Sequence, residues 1–503
     1  MAEAPDNLVP RGRSRWPLAV FALLVCVVVV TGGAIWGLWL RDAGGPARHV
    51  ILISMDTTRA DYFGCYGNNW VRTPRIDQIA GESILFSDYM TVVSTTLASH
   101  TSLFTGKYPH THGVPRNGFV AHDNNLMLAE VLKEAGFRTA GFLGSFALDK
   151  RFNVAQGFDY YDQGFDILAG ARGVDQNQRR ADAVTDAVID YLDREGVPLH
   201  LFLFVHYFDP HTPYDPPPPY DQMYASADAP PGIAEGPTTD DDTGPQRQQR
   251  RNSLYAGEIS YLDHHIGRLL DALRTRGILD EALLIVTSDH GENLGEMAPW
   301  PGHGWSTYQV EMRAVCMYRL PGARHGGTRV EAPVTSVDIL PTVANFLGLP
   351  APAEVEGEVI DLETPREAAS WRTRFGEATK PWEDVERDPR WHNNPKPCCV
   401  REGPLKYIRT LYQSKEELYD VAADPYEHVN LLLSPTPEIT ARAAELRQKL
   451  HAWTAAAKPL PTHFDSSQQE ETIRRLRALG YLGGEDGEED EGEGTDPNDE
   501  PSP

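Results

Sequence analysis

The sequence predicts an α/β fold in which helices flank a mostly parallel sheet. Three apolar runs, HVILISMD (49–56), LFLFVHYFD (201–209) and ALLIVTSD (282–289), have the length and hydrophobicity of fully buried strands, and each ends in an acidic residue. Helical periodicity lies between them, as in residues 260–276, where apolar positions recur at intervals of three and four. Strands that alternate with helices form parallel sheets, which bind ligands at the carboxyl ends of their strands.

The first element predicted along the chain is a membrane-spanning helix over residues 16–40, after a short N-terminal stretch (1–15). Residues 17–40 contain no charged side chain, and these 24 residues are enough to cross a hydrocarbon layer ~30 Å thick. Three arginines precede the segment: Arg11, Arg13 and Arg15. The positive-inside rule therefore predicts a single-pass membrane protein with a cytoplasmic N-terminus and a periplasmic or extracellular main domain.

A cleaved secretory signal is the alternative for the same segment, with the small residues of 31–34 as the cleavage region. The apolar part of such a signal is about 7 to 15 residues long, whereas this one continues to Leu40. The length favours the anchor. Both interpretations predict that the main domain is exported.

The next predicted unit is the catalytic domain, over residues 49–350, which contains the three strands. Residues 225–249 interrupt it with a stretch rich in Pro, Gly, Asp and Gln that has no hydrophobic period. Such a composition is typical of a surface loop or a disordered insert.

A smaller α+β subdomain is predicted for residues 351–483. Residues 405–410 and 417–419 have the character of short strands, and helical patterns follow at 436–455 and 466–479. This part would therefore pack a small sheet against helices at the end of the catalytic domain.

The charge of the chain argues against nucleic acid as a partner. The formal net charge is −26, and ten acidic residues lie in the predicted disordered tail (484–503), without which the charge is still −16. The body has no extended cluster of Lys or Arg that could contact phosphates. We therefore predict no nucleic-acid binding.

Four sequence motifs contain the candidate catalytic residues, and two of them include the ends of predicted strands. The segment TTLASHTSLFTGKY (95–108) would place Thr96 at a helix N-terminus, where backbone N–H groups favour anions. Three further motifs are LISMDTTRADYFGCYG (52–67), VTSDHGENLGE (286–296) and GHGWSTYQVEMR (302–313). In these motifs the chain resembles the sulfatase family of the alkaline phosphatase superfamily, from residue 49 to residue 432. The resemblance implies an alkaline-phosphatase-like fold and the hydrolysis of a sulfate or phosphate ester.

One departure from the family concerns the nucleophile. The family signature is Cys-x-Pro-Ser-Arg-x-x-Leu-x-Thr-Gly, and aligning its end with Thr105 and Gly106 places Thr96 at the cysteine and His100 at the arginine. A threonine cannot become the formylglycine that releases sulfate by elimination, whereas a phosphothreonine is resolved by in-line attack on phosphorus. Thr96 as nucleophile therefore favours phosphorus chemistry. The chain also resembles lipoteichoic acid synthases and phosphoethanolamine transferases, which have a threonine nucleophile.

The resemblance also implies a metal site, with Asp56, Asp289, His290 and the Thr96 oxygen as ligands. Three oxygens and one nitrogen favour Mn²⁺ or Zn²⁺ over Ca²⁺ or Mg²⁺, which prefer oxygen ligands alone. Thr57 stands where the family often has a second aspartate ligand, which lowers the expectation of Ca²⁺ further. We expect one divalent ion that activates the Thr96 hydroxyl and binds an oxygen of the ester.

The same resemblance implies roles for four more residues. His303 is the predicted general acid, and Arg59 is predicted to support the segment that carries the nucleophile. His211 and His100 are predicted to contact the anionic group of the substrate.

His206 is open to two interpretations. On the predicted strand 201–209 it is either a buried histidine with satisfied hydrogen bonds or, with Asp209, a ligand of a second metal ion. We favour a single metal ion.

Two enzyme functions and one non-catalytic function compete. The favoured one is a membrane-anchored, metal-dependent hydrolase of a phosphate or sulfate ester, whose alcohol is a glycan or lipid among other classes. A transferase that moves a phospho-group to an envelope lipid or glycan is the alternative, but such transferases usually have several membrane spans, whereas this chain has one predicted span. A non-catalytic binding protein is disfavoured because none of the four predicted metal ligands is lost.

Overall fold

The computed structural model describes residues 47–164, 177–225, 245–297, 301–365, 372–379, 396–464 and 469–479. The strands in this part of the chain are β1 His49–Met55, β2 Ile84–Phe86, β3 Tyr89–Met90, β4 Phe119–Val120, β5 Arg138–Phe142, β6 Tyr160–Asp162, β7 Leu201–Tyr207, β8 Ala282–Ser288, β9 Cys316–Arg319, β10 Thr328–Val330, β11 Val334–Thr335, β12 Thr373–Glu377, β13 Pro397–Glu402, β14 Leu405–Thr410, β15 Lys415–Asp420 and β16 His463–Phe464. The α-helices are α1 Pro74–Gly81, α2 Thr96–Thr105, α3 Pro109–His112, α4 Leu128–Glu134, α5 Ala181–Glu195, α6 Pro245–Thr275, α7 Gln309–Met312, α8 Ile339–Phe346, α9 Pro437–Ala455 and α10 Gln469–Ala478.

Eight strands form the central sheet, in the order β10-β2-β9-β8-β1-β7-β5-β6. β7 and β8 lie on either side of β1 and run parallel to it, and β5 and β6 extend the parallel part. β9 is antiparallel to both of its neighbours, β8 and β2. The predicted α/β fold with a mostly parallel sheet is therefore confirmed, and the three predicted strands are its central members.

Helices cover both faces of this sheet, as continuous apolar strands require. Successive residues of β1 point to opposite faces, so Val50 and Leu52 belong to one hydrophobic core and Ile51 and Ile53 to another. Helices α2, α4 and α8 contribute to the first core, and α1, α5 and α6 to the second. Since both faces are closed, a site can form only where the strands end.

Helix α6 begins earlier than the sequence predicts. The apolar period indicates a helix over 260–276, and residues 225–249 have the composition of a loop, but the helix starts at Pro245. Tyr255 and Ile259 are buried, although the polar residues before them dilute the apolar period. The predicted loop is therefore wrong for its last residues, and its residues 226–244 lie outside the described residues.

A second sheet is antiparallel, in the order β12-β13-β14-β15. Strands β14 and β15 include the short strands predicted at 405–410 and 417–419. Helix α9 packs on this sheet through Leu446 and Leu450. The sheet belongs to the compact unit that begins at Ala47, and the predicted boundary between a catalytic domain and a subdomain stays a prediction.

None of the described helices is long and apolar enough to cross a membrane. The predicted anchor (16–40), the stretch before it (1–15) and the acidic tail (484–503) lie outside the described residues. Membrane anchoring therefore stays a prediction.

Candidate active site

Two aspartates follow neighbouring strands at one edge of the central sheet. β1 and β8 pair in register over their full length, so Asp56 and Asp289 come next on adjacent strands. Both side chains are fully buried, as are those of His290 and Thr96, the first residue of α2. The fold thus brings together the four residues that the sequence predicted as metal ligands.

Three potential metal-ligand atoms without hydrogen-bond partners converge at this edge of the sheet. Asp56 Oδ1, Asp289 Oδ2 and His290 Nε2 are buried and unpartnered, and one ligand atom of each residue lies within 4.8 Å of the others. Thr96 Oγ1 donates a hydrogen bond to Asp56 Oδ2 over 3.2 Å. Buried polar atoms cost free energy unless a ligand satisfies them, and carboxylate oxygens with an imidazole nitrogen suit a divalent metal ion. The four residues therefore fit a metal ion.

The other polar atoms of these residues are held by their neighbours. Asp289 Oδ1 accepts hydrogen bonds from the backbone N–H groups of Thr57 (3.1 Å) and His290 (2.7 Å). Thr57 has a left-handed φ of 48°, which is strained for a β-branched residue and is part of this contact. His290 Nδ1 lies 2.9 Å from the Gly291 carbonyl oxygen. Since a carbonyl oxygen only accepts, Nδ1 carries the proton and Nε2 keeps its lone pair for a ligand.

Burial makes the site unfavourable for two negative charges. Burial raises the pKa of Asp56 well above its ordinary value of 3.8. Burial, and after it the charge of Asp56, raises the pKa of Asp289 well above 3.8 as well. Burial, followed by the neighbouring His303, lowers the pKa of His290. A bound cation favours the ionised carboxyl groups and the neutral imidazole, so these shifts are consistent with a site that holds positive charge.

A group of histidines lies beside the donor atoms. The ring of His303 is 4.6 Å from the ring of His290 and 5.2 Å from that of His211, measured between centroids. His303 Nδ1 lies 3.1 Å from Oε2 of the fully buried Glu292. Glu292 is not among the sequence-predicted site residues, although its position two residues after the predicted ligand His290 was an available signal. The carboxylate orients the ring through this contact.

His206 contacts the site from β7. Its Nε2 lies 3.2 Å from Asp56 Oδ2, and burial lowers the pKa of His206 to about 3, so the ring is neutral. His206 also forms a potential metal-holding group with His100 and Asp289. Among the described residues no such group includes Asp209, so the alternative of a second metal ion at that residue has no support.

His100 lies behind the nucleophile position, inside α2. Its Nε2 is 2.9 Å from Ser54 Oγ, and its Nδ1 is 2.8 Å from the Thr96 carbonyl oxygen. The side chain is fully buried. With both ring nitrogens engaged, this arrangement fits a residue that positions the start of α2 rather than the predicted contact with the substrate.

Arg59 has contacts that differ from the predicted ones. Its guanidinium group binds Asp61 (2.7 Å), Glu296 (2.6 Å) and the Glu292 carbonyl oxygen (3.2 Å). It therefore braces the segment after β8 that carries Glu292, whereas the sequence predicted support for the segment of Thr96. Glu296 is 237 residues away along the chain, which no local pattern could connect.

The chain is similar to known proteins over most of its length. A family model described as Sulfatase matches residues 48–349, more than half of the chain. An arylsulfatase of Clostridium perfringens (strain 13 / Type A) is 24% identical over 460 residues, which cover 77% of this chain and 90% of that protein.

Solved structures show the same fold. A protein in complex with its substrate D-glucosamine-2-N,6-O-disulfate superposes with a TM-score of 0.67 and 22% identity, covering 81% of this chain and 98% of that chain. A phosphonate monoester hydrolase from Silicibacter pomeroyi superposes with a TM-score of 0.65 and 23% identity, covering 82% of this chain and 96% of that chain.

Proposed function

Because this chain belongs to the sulfatase family and is an ester hydrolase, we propose that Thr96 is its nucleophile and that it prefers phosphate esters to sulfate esters. One observation carries the proposal: Thr96 Oγ1 donates to Asp56 Oδ2 beside three unpartnered donor atoms. A hydroxyl nucleophile needs an acceptor for its proton and a positive charge near its oxygen. Asp56 Oδ2 is the acceptor for the proton. A cation held by the three unpartnered atoms would supply the positive charge.

The metal-binding part of the proposal assigns one divalent ion to Asp56, Asp289, His290 and Thr96. When bound, the ion would supply a Lewis acid that polarises the ester and favours the ionised hydroxyl. The mixed oxygen and nitrogen donors favour Mn²⁺ or Zn²⁺, with Ca²⁺ or Mg²⁺ as the alternatives to compare.

In the first half of the reaction, the Thr96 hydroxyl passes its proton to Asp56 Oδ2. Thr96 Oγ forms a bond to phosphorus, and the bond from phosphorus to the leaving oxygen breaks. His303, oriented by Glu292, gives its proton to that oxygen, so that the alcohol leaves neutral.

In the second half, water attacks the phosphorus of the threonine ester. The neutral His303 accepts a proton from the water, and the bond to Thr96 breaks. Asp56 returns its proton to the Thr96 oxygen. The cycle ends with free phosphate and with every side chain in its starting state.

The test is a panel of aryl phosphate monoesters and diesters and an aryl sulfate, assayed with each divalent metal. Thr96→Ala should lose at least about 10³-fold in turnover, because the nucleophile is gone. Thr95→Ala is the matched control: Thr95 Oγ1 pairs with Thr379 Oγ1 at 2.7 Å, away from Asp56, so the loss should be far smaller. Equal losses in the two variants would contradict the assignment of the nucleophile. Faster cleavage of the aryl sulfate would contradict only the preference for phosphorus.

Export and anchoring form a further part of the proposal. The uncharged segment 17–40 and the three arginines before it support a single span with the catalytic part outside the cytoplasm. A reporter enzyme that works only outside the cytoplasm, fused after Pro503, should be active. Activity of a reporter that works only in the cytoplasm would contradict this topology.

A glycan or a lipid is the proposed alcohol of the ester. The solved relative whose substrate is D-glucosamine-2-N,6-O-disulfate supports a sugar, and the predicted anchor supports a substrate at the membrane.

A further inference from the structure

A cavity of about 70 Å³ lies beside the histidine group of the candidate site. Phe208, Asp209, His211 and Glu258 are among its lining residues. The ring of His211 stacks on Phe208 with centroids 4.2 Å apart, and it lies 5.2 Å from the ring of His303. The ring of His211 therefore lies between the cavity and His303, the predicted general acid. The volume of the cavity exceeds the ~10–15 Å³ that holds one water molecule.

Positive charge in the lining is already compensated. Arg180 pairs with Asp215 at 2.8 Å, and Arg179 pairs with Asp162 at 2.6 Å. In the part of the chain that the structure describes, Asp209 forms no ion pair with Lys or Arg. The same holds for Glu258, whose Oε1 accepts the backbone N–H of Asp215 at 2.7 Å. Neither carboxyl group thus has a cation in direct contact, although the nearby Arg180 acts to lower the pKa of both.

Asp209 offers a ligand in this cavity an unused acceptor oxygen. The residue is only 9% exposed, and its Oδ2 is buried without a hydrogen-bond partner. Burial raises the pKa of Asp209 to about 7, partly offset by the Ala181 backbone at the start of α5 and by Arg180. Burial, and next the charge of Asp209, raises the pKa of Glu258 well above its ordinary value. A ligand that donates hydrogen bonds and carries positive charge would satisfy both residues.

A metal ion is a poor occupant of this cavity. Metal sites of Asp, Glu and His ligands need at least three converging atoms, and no such group among the described residues contains Asp209 or Glu258. An ammonium group does not need three ligand atoms that converge on one point, because its three N–H groups point in different directions and each binds a separate oxygen of a side chain or a water molecule.

We propose that this cavity binds a primary ammonium group on the alcohol part of the ester, so that the preferred substrates are zwitterions. The proposal rests on the proposed function, since His211 would then separate the anionic group at Thr96 from the ammonium group at Asp209 and Glu258. Binding of the ammonium group would position the ester for attack by Thr96.

The test compares two leaving groups of equal size on the full chain in detergent. The esters are 4-(2-aminoethyl)phenyl phosphate and 4-(2-hydroxyethyl)phenyl phosphate, together with the corresponding sulfates. We expect the amine ester to have a kcat/KM at least about tenfold higher, since a buried charge-assisted hydrogen bond is lost in the hydroxyl ester. Asp209→Asn and Glu258→Gln should bring the ratio close to one. Asp193→Asn, which changes the net charge equally at an exposed ion pair with Arg276, should keep the ratio. A ratio near one in the unmodified protein would overturn the proposal, as would a ratio that the cavity variants leave unchanged.

A binding measurement separates this proposal from the proposed function. Calorimetry on Thr96→Ala should detect 4-(2-aminoethyl)phenol, the amine product, and should detect 4-(2-hydroxyethyl)phenol at least about tenfold more weakly. Adding Asp209→Asn should remove the difference. If no ester is turned over but this difference is found, the hydrolase proposal fails and the ammonium subsite stands. If esters are turned over but both phenols bind equally, the subsite is overturned alone.

Discussion

At the scale of single residues, Asp56 and Asp289 determine how the metal-free protein responds to pH. Both are fully buried, and their ligand atoms lie within 4.8 Å. Each carboxyl group makes the ionised form of the other less favourable, and His290 beside them is held neutral by burial. The same two groups that would bind a metal ion are therefore a source of instability without one.

The pH dependence follows from the sign of these shifts. Asp56 and Asp289 have pKa values in the folded protein above the ordinary 3.8, so above about pH 4 the folded state binds more protons than the unfolded state. The contribution of these two aspartates to the free energy of unfolding of the metal-free protein should fall as the pH rises from that value through their folded pKa values, whereas the buried histidines, whose pKa values are lowered, contribute in the opposite direction. Thermal denaturation of the metal-free protein between about pH 4 and about pH 8 measures this fall.

The Asp289→Asn variant isolates the contribution of the Asp56–Asp289 pair to the pH dependence of stability. The variant removes one of the two charges, so its melting temperature should fall less steeply with pH than that of the unmodified protein. Addition of Mn²⁺ should flatten the dependence of the unmodified protein and have little effect on the variant. Identical pH profiles of the two metal-free proteins would show that the pair does not titrate in this way.

At the scale of elements, helix α7 and the loop before it position His303. Glu311 in α7 is almost fully buried. Its Oε2 accepts the backbone N–H of Gly304 at 2.8 Å, and its Oε1 accepts the hydroxyl of Ser306 at 2.5 Å. One carboxylate thus ties the short helix to the residue that follows the predicted general acid.

Glu311→Ala should therefore reduce turnover by about 10- to 100-fold, the usual range for residues that orient catalytic groups. The loss should be larger for alkyl esters, which need a proton on the leaving oxygen, than for 4-nitrophenyl esters, which do not. Rates for a series of leaving groups measure this difference. Glu281→Ala, at an exposed ion pair with Arg48, is the control. An equal loss for every leaving group would mean that Glu311 does not act through His303.

At the scale of the whole molecule, a buried ion pair joins the antiparallel sheet to helix α7. Lys406 Nζ lies 2.9 Å from Glu427 Oε1, and both side chains are fully buried. The other oxygen of Glu427 accepts the backbone N–H of Gln309, the first residue of α7. The second sheet is thereby connected to the helix that carries Glu311.

Glu427→Ala should destabilise the protein by about 3–5 kcal/mol, because it leaves Lys406 buried without a counter-charge. Denaturant unfolding measures the change. Glu416→Ala breaks the exposed ion pair with Arg447 and should cost only about 0–1 kcal/mol. Similar costs for the two substitutions would show that Lys406 reaches water in the variant.

The sequence by itself determined the central strands, the candidate ligands and the family. Continuous apolar runs that end in acids predict parallel strands, and parallel strands end at one edge, so the sequence places Asp56 and Asp289 at the same edge of the sheet. The pairing of β1 with β8, which makes them neighbours, was decided by the fold. The register of Thr96 with the family signature then placed a hydroxyl group beside them. Each of these conclusions depends on a local sequence pattern, because the regular geometry of a strand or a helix fixes where the residues of that pattern lie.

Only the tertiary structure decided which distant side chains contact each other. His206 contacts Asp56, and Asp209 lies near Glu258, from distant parts of the chain, and Glu292 contacts His303 across the segment between β8 and α7. Periodicity predicts that such residues are buried, but it contains no information about their partners, because those depend on how whole elements pack. The predicted roles of Arg59 and His100 differ from their contacts in the structure for the same reason: besides a neighbour in sequence, each side chain binds a group that the fold brings to it from far along the chain, Glu296 for Arg59 and Ser54 for His100.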